Sequence, residues 1–262
     1  MKRWSVLLFG IANYVLFLVV FLYAVGFIGG FAVPKGIDGP VTSPIGEAVA
    51  VNMLLLIVFG LQHSLMARPA FKRWWTKLVP EPIERSTYVL CSNLALALLF
   101  WQWRPMGGIV WDLQQTALRA VIWCIYATGW MTVLLSTLMI NHFDLFGLRQ
   151  VWLHFRGRPY TPLPFATPGL YRFVRHPLYV GWLTTFWVVP TMGFAHFAFA
   201  AGMTAYILIA IRFEEQDLRQ FYGEPYEAYR RRVPMLIPQV FATSREALMA
   251  NLDVSKTQSK IH

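Results

Sequence analysis

Charged residues are scarce in this sequence. Asp, Glu, Lys and Arg make up 14% of its 262 residues, whereas soluble globular domains carry about 25%. Hydrophobic residues make up 56%, and the mean hydropathy of +0.47 is positive. This shortage of charge argues against an ordinary soluble domain and indicates an integral membrane protein.

Cysteine is also scarce, and the motifs of soluble cofactor-binding folds are missing. Cys91 and Cys124 both fall within apolar segments without spaced partner ligands, so they predict neither a disulfide framework nor a metal centre. The sequence contains no G-x-G-x-x-G after a strand and no Walker loop. Any cofactor site would therefore be built from helix ends rather than from such a fold, and we expect no metal.

Long apolar segments, in contrast, are frequent. Four of them cover residues 5–31, 46–67, 87–103 and 117–140, and residues 178–211 form a run of 34 without Asp, Glu, Lys or Arg. One crossing needs about 20 residues, so this run predicts a hairpin that turns near residues 190–193, with two crossings of about 16–18 residues. The predicted fold class is an all-α integral membrane protein with five to six transmembrane helices, a C-terminal helical hairpin and a cytoplasmic cofactor-binding segment.

The basic residues favour one side of this arrangement. With six crossings, all of the 23 Lys and Arg residues except Lys35, Arg104 and Arg119 fall on the same side. The positive-inside rule makes that side cytoplasmic, with both termini inside. Anionic membrane lipids account for the net charge of +10, so no nucleic-acid partner is expected. Residues 1–240 are expected to form a single transmembrane domain, and residues 241–262 a polar tail.

Two polar motifs flank the predicted hairpin. Arg175, His176 and Tyr179 precede it, and Glu214 and Glu215 follow it, so the fold-back returns both motifs to one membrane face. Arginine can bind a carboxylate, glutamate an ammonium group, and an aromatic face a cation. S-adenosylmethionine carries all of these complementary groups. The alternative interpretation is that these residues are interfacial anchors, which are common beside membrane helices.

The order of the motifs resembles a known superfamily. Arg-His-Pro-x-Tyr, an apolar hairpin, Glu-Glu and Tyr-Gly-x-x-Tyr-x-x-Tyr are similar to the isoprenylcysteine carboxyl methyltransferase and phospholipid methyltransferase superfamily. The segments that begin at Gln62, Glu84 and Asn141 resemble its NnrU-like branch. The resemblance implies a bacterial inner-membrane enzyme that transfers a methyl group from S-adenosylmethionine to a small thiol, giving dimethyl sulfide from methanethiol. The implied cofactor-binding residues are Arg175, His176, Tyr179, Glu214, Glu215, Tyr226 and Tyr229.

Methylation of a thiol requires removal of a proton, because the thiolate is the nucleophile. The histidines and the acid within or beside the resembling segments are the candidate catalytic residues: His63, His142 and Asp144, with His176 as a further candidate base. The structural alternatives are that His63 makes an interhelical hydrogen bond, and that His142 and Asp144 only end a helix. Two other functions stay open at this point: methylation of a lipid amine or prenylcysteine carboxylate, and a non-catalytic membrane protein of the NnrU type.

Overall fold

The structure is a computed structural model that describes residues 2–238. The expected polar tail, residues 241–262, lies outside the described residues. The fold is almost entirely α-helical, as predicted. In chain order its helices and strands are α1 (Arg3–Gly29), α2 (Ile45–Ala67), α3 (Pro69–Trp75), α4 (Glu81–Gln102), β1 (Ile109–Asp112), α5 (Thr116–Ile140), α6 (His142–Leu145), α7 (Leu148–Phe155), a 3-10 helix (Gly169–Arg172), α8 (Pro177–Trp187), β2 (Thr191–Gly193), α9 (Phe194–Tyr222) and α10 (Glu224–Arg232).

Four helices, α1, α2, α5 and α9, are long and apolar enough to cross a membrane. The chain is therefore a multi-pass membrane protein. Helix α4 has 22 residues, but its first turns carry Glu81, Glu84 and Arg85, which lower its mean hydropathy. Helix α8 has only 11 residues, which rise about 16 Å and cover about half of a 30 Å hydrocarbon layer.

The C-terminal hairpin turns where it was predicted, but its first helix is shorter than the predicted 16–18 residues. Its two helices have 11 and 29 residues. Helix α8 ends early for two reasons. Pro190 disfavours a helical conformation at the residue before it, and the next residues form β2, which pairs with β1. The indole of Trp111 donates to the Val189 carbonyl (3.0 Å), and the Leu113 amide donates to the Pro190 carbonyl (2.9 Å). Residues 188–193, which follow α8, are not helical.

Three loops meet at one end of the helical body, which we call the far end: residues 30–44, 103–115 and 188–193. Strands β1 and β2 pair in antiparallel fashion, with Ile109 opposite Gly193. The carboxylate of Asp38 accepts hydrogen bonds from the backbone amides of Gly193 (2.8 Å) and His196 (3.1 Å), so the first loop is joined to the start of α9.

The opposite end, which we call the basic end, holds the start of α1 and the short helices α3, α6, α7 and α10. The Arg3 guanidinium lies beside Gly157, just after α7. Since three loops lie at the far end, residues 2–238 pass through the helical body six times. Lys35, Arg104 and Arg119 belong to the far end, and the remaining Lys and Arg residues of the described chain belong to the basic end, as the charge pattern predicted.

Close contact between α5 and α8 fixes the short helix in place. A Cβ atom at Gly181 would lie 2.8 Å from the backbone nitrogen of Val133, and one at Gly129 would lie 2.9 Å from the Thr185 side chain. Small residues let membrane helices approach closely enough for van der Waals packing to hold them together. Helix α8 thereby becomes a rigid wall of the helical body, despite its length.

We expect Asp38→Ala to destabilise the far end. The substitution removes the acceptor for two backbone amides at the start of α9, and loss of a helix N-cap costs about 1–2 kcal/mol of the free energy of unfolding. Thermal unfolding of the purified protein in detergent measures the loss. Glu47→Ala, at an exposed position in the first turn of α2, is the matched control. Equal midpoints for the two variants would contradict this role of Asp38.

Candidate active site

The Arg-His-Pro segment before α8 is bound to α9 by Glu215. The Arg175 Nε donates to Glu215 Oε1 at 2.7 Å, and the His176 Nε2 lies 3.0 Å from the same oxygen. The His176 side chain is 5% exposed and that of Glu215 is 12% exposed. The hairpin thus brings the two motifs together at the basic end. We call this arrangement the Arg175–Glu215–His176 clasp.

The clasp also holds the chain that follows α10. The Arg175 Nη1 donates to the carbonyl oxygens of Val233 (2.6 Å) and Arg230 (3.1 Å). The backbone amide of Arg175 donates to the Pro234 carbonyl at 2.8 Å. The Nε, the Nη1 and the backbone amide of Arg175 are therefore all bonded to groups of this chain.

Glu214 points to a different side of α9 from Glu215. Successive residues of an α-helix are rotated by about 100°, so the two adjacent glutamates meet different partners, although His176 Nδ1 also lies 3.9 Å from Glu214 Oε2. The Tyr179 hydroxyl donates to Glu214 Oε2 at 2.8 Å, and the Glu214 side chain is 43% exposed. Both Glu214 and Tyr179 line a cavity.

The cavity has a volume of about 640 Å³ and lies between α1, α2, α4, α5, α8 and α9. Cavities of about 300–1,000 Å³ bind molecules of nucleoside or drug size. Its mouth, at the basic end, carries charged side chains of both signs: Arg68, Lys72, Arg85, Glu214 and Asp217. Its deeper wall is apolar and includes Phe59, Phe100, Phe186 and Phe199. The cavity can therefore receive a charged molecule at the mouth and a small apolar one inside.

His63 lies on the cavity wall between α2 and α4. Its Nδ1 lies 3.1 Å from the Ser92 Oγ, and the Tyr88 hydroxyl lies 3.0 Å from Nε2 and 3.1 Å from Nδ1. The Ser92 hydroxyl donates its proton to the Tyr88 carbonyl, so towards His63 it can only accept. A neutral imidazole has one N–H; we assign it to Nδ1, facing Ser92. This leaves Nε2 as the acceptor facing the Tyr88 hydroxyl.

His142 also lines the cavity, at the start of α6. Its Nδ1 lies 2.8 Å from the Thr137 Oγ1 and its Nε2 lies 2.8 Å from the Tyr14 hydroxyl. Burial lowers the pKa of His142, so its imidazole is neutral near pH 7. Both ring nitrogens are occupied by residues of the chain, and this histidine is well placed to shape the wall.

Asp144 lies close to His142 in sequence but faces away from the cavity wall. Its Oδ1 pairs with the Arg149 Nη1 at 2.9 Å, and its Oδ2 accepts from the Tyr160 hydroxyl at 3.3 Å. The Asn141 side chain caps α6 by accepting from the Asp144 amide. The geometry supports the structural interpretation of Asp144, and its role as a base stays a prediction without support from these contacts.

Comparison with known proteins identifies the family. Methanethiol S-methyltransferase of Mycobacterium tuberculosis is 53% identical over 238 residues, which cover 91% of this chain and 98% of the relative. The corresponding protein of Crocosphaera subtropica is 52% identical over 238 residues, covering 91% of this chain and 93% of the relative. The chain belongs to the methanethiol S-methyltransferase family.

A more distant relative is Nurim of Mus musculus. It is 33% identical over 181 residues, which cover 66% of this chain and 68% of Nurim. No family model matches the chain, and no solved structure matches it. The family assignment therefore comes from the curated relatives.

The structure separates the predicted site residues of this family member into two groups. His63, His142, Tyr179 and Glu214 line the cavity. The other predicted residues lie behind its wall: Asp144, Arg175, His176, Glu215, Tyr226 and Tyr229. Tyr229 donates to the Tyr171 carbonyl at 2.6 Å, and burial raises its pKa to about 12. Direct contact between the residues of this second group and a cofactor stays a prediction. Their observed contacts are with other parts of the chain, outside the cavity.

Sequence reasoning missed several residues of the cavity mouth. Arg68 and Lys72 were interpreted only as markers of membrane topology, and Tyr88 and Tyr206 were not assigned a role. Arg68 and Arg85 lie within the segments that resemble the NnrU-like branch. That position was the sequence signal by which they could have been found. Within residues 2–238, no group of three or more His, Cys, Asp or Glu residues could hold a metal ion.

The two adjacent glutamates give a direct test of this division. We expect Glu215→Ala to lower the free energy of unfolding by about 3–5 kcal/mol, because it leaves Arg175 buried without its counter-ion. Glu214→Ala removes one hydrogen bond from a half-exposed side chain, worth about 1 kcal/mol. Thermal unfolding in detergent compares the two variants. An equal loss of stability in the two variants would contradict the structural role of Glu215 in the clasp.

Proposed function

We propose that this protein transfers a methyl group from S-adenosylmethionine to methanethiol, releasing dimethyl sulfide. Its near full-length relatives are named for this acceptor. The observation that carries the proposal is the cavity, whose mouth has charges of both signs and whose interior is apolar. This polarity suits a charged cofactor together with a small apolar acceptor.

The donor set at the mouth fits S-adenosylmethionine. The Glu214 carboxylate can bind the ammonium group, and Tyr179 and Tyr222 offer aromatic faces to the ring and to the sulfonium. When bound, this cofactor supplies a methyl group on a positively charged sulfur. The hydroxyl of Tyr179 holds Glu214 in place, so the carboxylate is oriented before the cofactor arrives.

The apolar interior favours the chemistry of a thiol acceptor. A thiolate and a sulfonium combine to give two neutral thioethers, so charge is lost along the reaction path. Walls such as Phe59, Trp182 and Phe186 solvate separated charges poorly and exclude water, which favours their combination. They also align a small thiol by restricting its positions.

His63 and Tyr88 are proposed to remove the thiol proton. The Tyr88 hydroxyl donates to His63 Nε2, the acceptor nitrogen that the Ser92 contact selects. The thiol proton moves to the Tyr88 oxygen while the Tyr88 proton moves to His63 Nε2. The thiolate forms at the wall, and the histidine becomes the temporary holder of one proton.

A headspace assay tests the function. Purified protein incubated with S-adenosylmethionine and methanethiol should release dimethyl sulfide, measured by gas chromatography. We expect His63→Ala to lower kcat by about 10²–10⁴-fold and to leave the dissociation constant of the cofactor unchanged. The deficit should shrink as the pH approaches the pKa of the thiol, because the acceptor then ionises without a base.

His154→Ala is the control for this variant, since His154 lies on α7 and is not among the residues of the cavity wall. Absence of dimethyl sulfide from a preparation that binds the cofactor would reject methanethiol as the acceptor. An unchanged kcat for His63→Ala would reject the proton-transfer role alone.

We also propose that the basic end faces the cytoplasm across a bacterial inner membrane. The charge pattern supports this orientation through the positive-inside rule. Alkaline phosphatase fused to the C-terminus should be inactive, because the enzyme needs export, and the same enzyme inserted in residues 30–44 should be active. The reverse pattern would overturn the orientation.

A further inference from the structure

We propose that Lys72 and Arg85 form an anion-binding subsite at the cavity mouth that holds the carboxylate of the methyl donor. The inference rests on the proposed function, in which S-adenosylmethionine occupies this cavity. It replaces the expectation that Arg175 binds the carboxylate.

Arg175 does not line the cavity, and its Nε and Nη1 already donate to groups of this chain. The acceptors are Glu215 Oε1 and the carbonyls of Val233 and Arg230. A bound amino-acid carboxylate would be buried at the mouth without a partner unless another cation met it, and an unpaired buried charge is strongly unfavourable. The wall itself has to supply that cation.

Three cations lie on the wall, and they differ in their partners. Arg68 is paired with Asp217 at 3.0 Å and lies over the Phe213 ring. Arg85 uses its Nε to donate to the Leu145 carbonyl at 2.7 Å and lies over the Tyr88 ring at 4.9 Å. These contacts orient the Arg85 guanidinium and leave its two terminal nitrogens for another acceptor.

Lys72 and Arg85 have no carboxylate oxygen within 4.0 Å among residues 2–238, whereas Arg68 does. Lys72 lies on α3, outside the four long spans. Burial, with the charges of Arg85 and Arg68, lowers the pKa of Lys72, against the opposite effects of Glu84 and Asp217. Crowded positive charges of this kind are relieved by a bound anion.

The opposite side of the mouth carries the complementary charge. Glu214, held by Tyr179, faces the cavity from α9, while Lys72 and Arg85 face it from α3 and α4. An amino-acid end has an ammonium and a carboxylate on the same carbon. A mouth with a carboxylate on one wall and two cations on another recognises both charges and orients the ligand so that its remaining part points inward.

A phosphate of an anionic lipid has the same chemistry as a carboxylate in this subsite. The test must therefore separate a cofactor carboxylate from a lipid headgroup. Decarboxylated S-adenosylmethionine provides the probe, because it keeps the adenosine, the sulfonium and the ammonium and lacks only the carboxylate. Measurements in an uncharged detergent without phospholipid remove the competing headgroup.

Calorimetric titration of the full-length protein with both ligands tests the subsite. We expect wild type to bind S-adenosylmethionine at least about tenfold more tightly than the decarboxylated ligand, as a charge-assisted contact predicts. Lys72→Gln and Arg85→Gln should each raise the dissociation constant of S-adenosylmethionine by about tenfold. Both should leave the dissociation constant of the decarboxylated ligand unchanged. Binding of the second ligand shows that each variant is folded.

Arg73→Gln and Lys77→Gln are the matched controls, because these exposed cations lie in the same segment but not on the cavity wall. They make the same change of net charge and should leave both affinities unchanged. Equal affinity of wild type for the two ligands would overturn the subsite. An equal loss of affinity for both ligands in the variants would overturn it too. An effect that appears only when anionic phospholipid is added would assign the cations to lipid instead. If wild type bound neither ligand, the proposed function itself would fail, and the subsite with it.

Discussion

The Arg175–Glu215–His176 clasp is the interaction on which the rest of the site depends. Burying an ion pair at the boundary of a membrane protein is costly unless every donor and acceptor is satisfied. Here the Arg175 Nη1 donates to the Val233 carbonyl just after α10, and His176 shares the carboxylate oxygen. The clasp therefore fixes the start of α8, the C-terminal part of α9 and the chain after α10 in one arrangement.

A second attachment at the far end makes the clasp effective. Helix α8 is too short to cross the membrane alone, and its position depends on what holds its two ends. The β1–β2 pairing and Asp38 fix the far end, and the glycine contacts with α5 fix the middle. With both ends held, Tyr179 and Glu214 face the cavity in a defined geometry, which is what alignment of two reactants requires.

The sequence predicts the course of the chain better than it predicts helix lengths or the contacts of individual side chains. The hairpin turn was predictable because an uncharged run of 34 residues exceeds one crossing and contains Pro190. The unequal helices were not predictable, since α8 ends where β2 pairs with a strand that lies about 80 residues earlier in the chain. The sidedness of the loops was predictable because lipid charge acts on Lys and Arg independently of their packing.

The meeting of the two motifs at one end was predictable from the sequence, but the different contacts of their residues were not. Glu214 and Glu215 carry the same functional group at adjacent positions, and an apolar helix in lipid gives no sequence pattern that shows which face is inside. Only the structure distinguishes the glutamate that closes the clasp from the one that lines the cavity. The sequence also does not show that His142 faces the cavity and Asp144 does not. The two residues follow Asn141, which has an unusual backbone conformation with φ of 128°.

The polarity of the cavity also explains why a small thiol is a suitable acceptor. Cellular thiols that carry charged groups would have to leave water to reach the deeper wall of Phe59, Phe100 and Phe199, and desolvating an unpaired charge there is strongly unfavourable. A neutral small thiol has no such penalty, and in the proposed mechanism it becomes an anion only beside the His63–Tyr88 pair. Discrimination therefore comes from the apolar wall rather than from specific contacts to the acceptor. The charged groups at the mouth remain available for the larger ligand, and the two reactants meet where the polar and apolar parts of the wall join.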